Sequence, residues 1–114
     1  ADMYALADPR IPETLQEIRR KIPISLFSNM QLERILPALG IESGWFTHII
    51  HAGMLMEPKP ALEGFAKMVE LSGVPAHEIL YIGDEVGKDI RPAKAVGMAS
   101  AKAPHDIGRV SGMP

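Results

Sequence analysis

Apolar residues in this chain fall into short continuous runs, with stretches at helical spacing between them. Ile22 to Phe27, Thr47 to His51 and Ile79 to Ile82 read as buried strands, because each is brief and is followed by turn residues. Pro23 lies near the start of the first run, where a lost N–H costs least. The helical stretches lie between and after these runs. Pro12 at a first helical position, followed by Leu15, Ile18 and the basic pair Arg19-Arg20, predicts a short amphipathic helix. Leu32, Ile35, Leu36 and Leu39 predict a second helix over 31–39, with Pro37 expected to kink or shorten it. Pro60 is expected to open a long helix with Leu62, Phe65, Ala66, Val69 and Leu71 on its apolar face and Gly73 as its C-cap. A last helix carries Ile90, Ala93 and Val96 and is closed by Gly97, before a short fourth strand over 98–101.

Strands thus alternate with helices, which predicts an α/β fold with right-handed βαβ crossovers and a parallel sheet. Residues 1–10 read as a connector, 11–101 as the core, and 102–114, rich in Gly, Ser and Pro, as an irregular tail. No internal repeat or low-complexity segment stands out.

Composition narrows the function classes. A chain of 114 residues with 46% hydrophobic content has room for one packed domain. A net charge of −2, with no basic run, gives no electrostatic case for nucleic acid or an anionic membrane as partner. The absence of cysteine excludes disulfides, thiolate metal sites and a cysteine nucleophile. No signal-peptide pattern or bilayer-length apolar stretch occurs, so a soluble cytoplasmic domain is the default expectation. Ala1 in place of an initiator methionine leads us to expect that residues precede it.

Candidate chemistry lies at the strand ends, where ligands of open α/β sheets collect. The richest segment is 79–98. Its strand ends in Gly83-Asp84, and a second carboxylate, Asp89, follows five residues later. Two carboxylates beside a glycine that lets backbone come close suit a hard divalent cation such as Mg²⁺. The plainer alternative makes Asp84 a turn residue and Asp89 an N-cap. Ser28-Asn29, ending the first strand, offers a hydroxyl and an amide for an anion site, or equally an N-cap for the next helix. In Glu57-Pro58-Lys59-Pro60 the flanking prolines stiffen the backbone around an ammonium just ahead of a helix N-terminus. A cation there is disfavoured by the macrodipole unless it anchors an anion; otherwise Lys59 is a solvated loop lysine.

Together, and in this order, the three pieces resemble the haloacid dehalogenase (HAD) superfamily. Leu26-Phe27-Ser28-Asn29 is similar to its second motif, Lys59-Pro60 to its third, and Gly83-Asp84 with Asp89 to its fourth. The spacers Leu39-Gly40-Ile41, 45–50 and 93–98 also look like that family, and the resemblance covers residues 11–101. It implies a Rossmann-like three-layer sandwich and a Mg²⁺-dependent phosphohydrolase working through an aspartyl-phosphate on a small phosphorylated metabolite. By the same resemblance Ser28 would bind phosphoryl oxygens, with Asn29 as an orienting contact. Lys59 would offset charge, and Asp84 and Asp89 would hold the cation.

The family's first motif, a strand ending Asp-x-Asp-Gly-Thr that carries the nucleophile, has no match here. Neither Asp2 nor Asp8 follows an apolar strand or has an Asp two positions on. In the family's topology that strand lies mid-sheet, between the strands at 22–27 and 79–82. Without it two inner strand edges would be bare. We therefore expect the nucleophile on a preceding segment or on a complementary chain. A catalytically inactive HAD-fold binding or assembly module is the alternative. A receiver domain is a poorer match, since the acidic pair it needs early in the chain is not evident. His48 and His51 straddle a strand and are not expected to chelate zinc, and His77 and His105 fall in loops. The seven methionines are expected to fill core gaps, and Trp45 with Phe46 to pack at a helix–strand junction.

Overall fold

The computed structural model describes residues 4–6, 10–103 and 110–112. Asp2, Asp8, Pro104 and His105 lie outside the described residues. In chain order the elements are β1 (Tyr4–Leu6), α1 (Ile11–Arg19), β2 (Leu26–Ser28), β3 (Ile49–His51), α2 (Glu63–Ser72), β4 (Leu80–Gly83), α3 (Arg91–Ala95), β5 (Ala99–Lys102) and β6 (Val110–Gly112). Short 3₁₀ turns and one π-turn connect them.

β2 and β3 pair in parallel with Ser28 opposite His51, and β4 and β5 pair in parallel with Gly83 opposite Lys102. β1 and β6, inside the stretches read as connector and tail, form a short antiparallel pair. The βα alternation therefore appears as expected, but the parallel strands form two separate pairs, with no ladder between β2 and β4. Side chains make the link instead. Phe65 of α2, fully buried, stands with its ring centroid 5.0 Å from Phe27 of β2 and 5.0 Å from Tyr81 of β4. Ile50, Met68, Ala93 and Met98 complete this core. On the other face of β4, Leu80 and Ile82 are 58% and 60% exposed.

A second cluster of Leu36, Leu39 and Ile41 packs against Ile11 and Leu15 of α1 and against Trp45 and Phe46. Pro12 in the first turn of α1 gives up an N–H that would have no helical partner, while Glu13 and Arg19 complement the helix dipole.

Three expectations need correction. Residues 31–39 form turns and a 3₁₀ segment, Leu36–Leu39, in place of an α-helix. Pro37 has no N–H for a longer ladder, and Gly40, at φ 77°, stops the chain. The helix expected from Pro60 begins at Glu63, because the Glu63 carboxylate is turned back to accept the Met56 and Glu57 N–H groups at 2.9 and 3.0 Å. The methionines divide: Met68 and Met98 fill the core, whereas Met30, Met54 and Met56 are exposed.

Gly64, buried at the start of α2, has no room for a side chain, since a Cβ would meet the Phe27 ring and lie 2.9 Å from Leu55 Cδ1. Gly64→Ala should therefore cost about 1–3 kcal/mol through overpacking. A thermal or denaturant melt of the variant against the parent chain checks this.

Candidate active site

The C-terminal ends of β2 and β4 and the loop ahead of α2 meet at one point, and Lys59 occupies it. The side-chain amide of Asn29, just past β2, grips the Lys59 backbone in both directions. Its Oδ1 accepts the Lys59 N–H at 2.8 Å, and its Nδ2 donates to the Lys59 carbonyl at 3.2 Å. This joins two segments thirty residues apart and aims the lysine side chain inward. The ammonium then donates to Asp89 Oδ1 at 2.7 Å and to the Tyr81 hydroxyl at 3.2 Å. It also stands 5.2 Å from the centroid of Phe27 and 5.9 Å from that of Tyr81, within cation–π range of both rings.

Asp89 sits in the π-turn Val86–Ile90 ahead of α3, with its side chain 6% exposed. Its Oδ1 accepts from both Lys59 and the Tyr81 hydroxyl, and its Oδ2 accepts the Glu85 N–H at 3.2 Å. The last bond closes the π-turn from within, since Glu85 and not Asp89 is the cap residue, while the first two tie Asp89 to the lysine. Gly83 makes the approach possible. A Cβ at this position would fall 2.6 Å from Asp89 Cγ and 2.8 Å from Oδ2, so the Gly-Asp-x₄-Asp spacing reflects a steric requirement as well as an acidic one.

Electrostatics follow from these contacts. Burial pushes the Asp89 carboxyl up, but the Lys59 hydrogen bond and charge, with the Glu85 N–H and the Tyr81 hydroxyl, outweigh it and hold the pKa below the usual value. Burial, reinforced by the charge and hydrogen bond of Asp89 and by the charge of Asp84, raises the Tyr81 phenol well above its ordinary range. The ammonium, phenol and carboxylate therefore form one charge-assisted cluster, with the phenol kept protonated.

The other candidates lie beside this cluster. Ser28, at the end of β2, accepts the Met30 N–H on Oγ at 3.0 Å and so closes the turn that presents Asn29. Across the strand pair is His51, whose Nδ1 accepts the Gly53 N–H at 3.1 Å. Asp84 is half-buried at the end of β4. Of the sequence candidates, Asn29, Lys59 and Asp89 are joined directly, with Ser28 and Asp84 each one residue from a joined or tightly packed position. Tyr81 and Phe27 were missed, because within an apolar run they read only as core.

Two carboxylates and a lysine suit phosphate and a hard cation in kind. Among the described residues, however, no group of three or more His, Asp or Glu could hold a metal ion, and both Asp89 oxygens already accept hydrogen bonds. Mg²⁺ commonly binds one or two protein carboxylates plus waters and substrate phosphate, so Asp84 fits as a partial donor set.

The model of the haloacid dehalogenase-like hydrolase family matches residues 7–103. The glyceraldehyde 3-phosphate phosphatase of Methanocaldococcus jannaschii is 38% identical over 72 residues, which cover 63% of this chain and 31% of that protein. Among solved structures, a predicted phosphoglycolate phosphatase from Haemophilus somnus 129PT superposes with a TM-score of 0.73 at 28% identity, over 82% of this chain and 43% of its own. A 2-haloacid dehalogenase from Pseudomonas syringae pv. tomato DC3000 shares the fold, with a TM-score of 0.70 at 23% identity over 81% and 39% of the two chains. The chain thus spans less than half the length of each of these relatives.

Gly83→Ala should push Asp89 away and detach it from Lys59, with a loss on the order of 3 kcal/mol as for a broken buried ion pair. Equilibrium unfolding measures it. Asp89, with a folded pKa below its unfolded one, contributes stability that is complete above about pH 4 and is lost as pH falls through the folded value. The stability gap between the parent chain and Asp89→Asn should accordingly shrink as pH drops below that point, read from urea melts across an acid pH series.

Proposed function

This chain belongs to the haloacid dehalogenase-like hydrolases, and from that membership we propose that it forms the phosphate-binding part of a Mg²⁺-dependent phosphohydrolase acting on a small phosphorylated metabolite. The observation that carries this reading is the Lys59 ammonium, anchored by Asn29, Tyr81 and Asp89 where the strand ends converge. Phosphoryl transfer is mostly positioning and electrostatic stabilisation, which such a pre-oriented cation supplies. The names of two relatives, phosphatases of glyceraldehyde 3-phosphate and phosphoglycolate, support a small phosphorylated substrate.

In this reading Ser28 donates its hydroxyl hydrogen to a phosphoryl oxygen, and Lys59 neutralises charge shared by the phosphoryl group and the attacking carboxylate. Asn29 acts by holding the Lys59 backbone. Asp84 would hold the cation, with Asp89 contributing through water while it orients Lys59. When bound, Mg²⁺ would offset charge building up on the phosphoryl oxygens. The nucleophile is an aspartate supplied from outside these 114 residues, by a preceding segment or a complementary chain, since the sequence holds no Asp-x-Asp-Gly-Thr strand. Its attack on phosphorus would break the bond to the substrate's ester oxygen, which leaves as the alcohol on taking up a proton. Water would then cleave the aspartyl-phosphate to free phosphate and the carboxylate.

One observation favours a second reading, a non-catalytic HAD-fold binding module: Asp89 already compensates the charge of Lys59 with no ligand needed. The same experiment separates the two. The chain alone, with Mg²⁺ and p-nitrophenyl phosphate, should show no turnover. Fused to or mixed with a segment bearing an apolar strand that ends Asp-x-Asp-Gly-Thr, it should hydrolyse the ester in a metal-dependent way. Lys59→Met should then cut kcat by about 10²–10³. Turnover by the chain alone would overturn the placement of the nucleophile outside it, and activity indifferent to Lys59 would overturn the phosphatase proposal. Phosphate binding without turnover in the complemented protein would leave the binding module.

A further inference from the structure

We propose that Tyr81 is a positioning residue for Lys59: its hydroxyl, bridging Nζ and Asp89 Oδ1, fixes the direction of the ammonium proton that has no acceptor among the described residues and can meet an anionic substrate. The inference rests on the phosphate-binding reading above and adds a residue to it. An ammonium has three N–H donors and no acceptor. In this chain one points at Asp89 Oδ1, 2.7 Å away, and a second at the Tyr81 oxygen, 3.2 Å away. The third has no acceptor among the described residues, and with two N–H bonds pinned, tetrahedral geometry sets its direction.

A single Lys–Asp contact would not do this. One hydrogen bond leaves the ammonium free to spin about the Nζ–Oδ1 line and to slide between carboxylate oxygens, because lysine is a point charge on a flexible stem. The Tyr81 hydroxyl removes that freedom by closing a ring. It accepts from Nζ and donates to Oδ1 at 3.0 Å, so both of its hydrogen-bonding functions are spent on the pair. The ring itself cannot drift. Phe65 packs against it at a centroid distance of 5.0 Å, and Phe27 meets it edge-on at 6.5 Å. Phe27 also presents its face to the ammonium from the strand that ends in Ser28. The core thus sets the hydroxyl, the hydroxyl sets the ammonium, and the remaining proton is aimed before any substrate arrives. Such preorganisation spares the reorientation that binding or reaction would otherwise require.

Tyr81→Phe deletes the hydroxyl and keeps the ring, so the lysine can be followed in a folded chain. In the ¹⁵N-labelled 114-residue chain, lysine ammonium correlation spectra identify the Lys59 signal by its loss in Lys59→Arg. The parent chain should show this signal protected from solvent exchange. Tyr81→Phe should exchange its Lys59 protons about tenfold faster, the ratio expected for one lost hydrogen bond, with backbone amide shifts unchanged away from the site. Equal exchange in parent and variant overturns the proposal, and so does an unprotected Lys59 in the parent, which needs no variant to fold. Titration with inorganic phosphate supplies the second arm: Tyr81→Phe should weaken binding about five- to tenfold, on the same hydrogen-bond scale. Should the parent chain bind no phosphate, the function proposed above fails, while the exchange rates still decide whether Tyr81 holds the lysine.

Discussion

Phe65 is the joint on which the structure depends. Among the described residues β2 pairs only with β3 and β4 only with β5, so no backbone ladder there holds the two halves together. Phe65 is fully buried, with one ring neighbour from each half, Phe27 and Tyr81, both at 5.0 Å. Aromatic contacts of this kind add about 0.5–1.5 kcal/mol beyond the area they bury. The same contact sets the chemistry, because Phe27 and Tyr81 are also the rings beside the Lys59 ammonium. Core and candidate site therefore share side chains.

Burying a lysine and an aspartate is costly unless they are paired and hydrogen-bonded. Here both conditions hold, with the side chains 13% and 6% exposed. The ion pair, the phenol and the Glu85 N–H satisfy one another, and Asn29 fixes the lysine backbone from a third segment. A buried pair held in this way adds little net stability over apolar packing, although breaking it is costly. As a preset electrostatic feature at the strand ends its cation is well suited to an anionic group.

The ends of β2 and β4 were legible because their residues are special locally. Gly83, Asp84, Asp89, Ser28, Asn29 and the Pro-flanked Lys59 each break an apolar pattern, and such breaks can be read without coordinates. The segment 31–39 misled for the opposite reason. Its leucines and isoleucines keep helical spacing, but Pro37 and Gly40 confine it to turns and a 3₁₀ segment, and its apolar residues are buried as a cluster against α1. Tyr81 and Phe27 were invisible as site residues, since nothing about an aromatic in a strand says what its edge or hydroxyl will touch.

By itself the sequence determined the βα alternation, the positions where strands stop and the kinds of charge gathered at the strand ends. Each of these follows from neighbouring residues and their backbone preferences. Only the tertiary structure decided that Lys59 pairs with Asp89, that Tyr81 bridges them, that Asn29 serves the lysine backbone, and that β2 and β4 are joined through Phe65. These contacts unite residues 8 to 38 positions apart. They depend on how α2 seats its ring between two strand pairs, which no local pattern encodes.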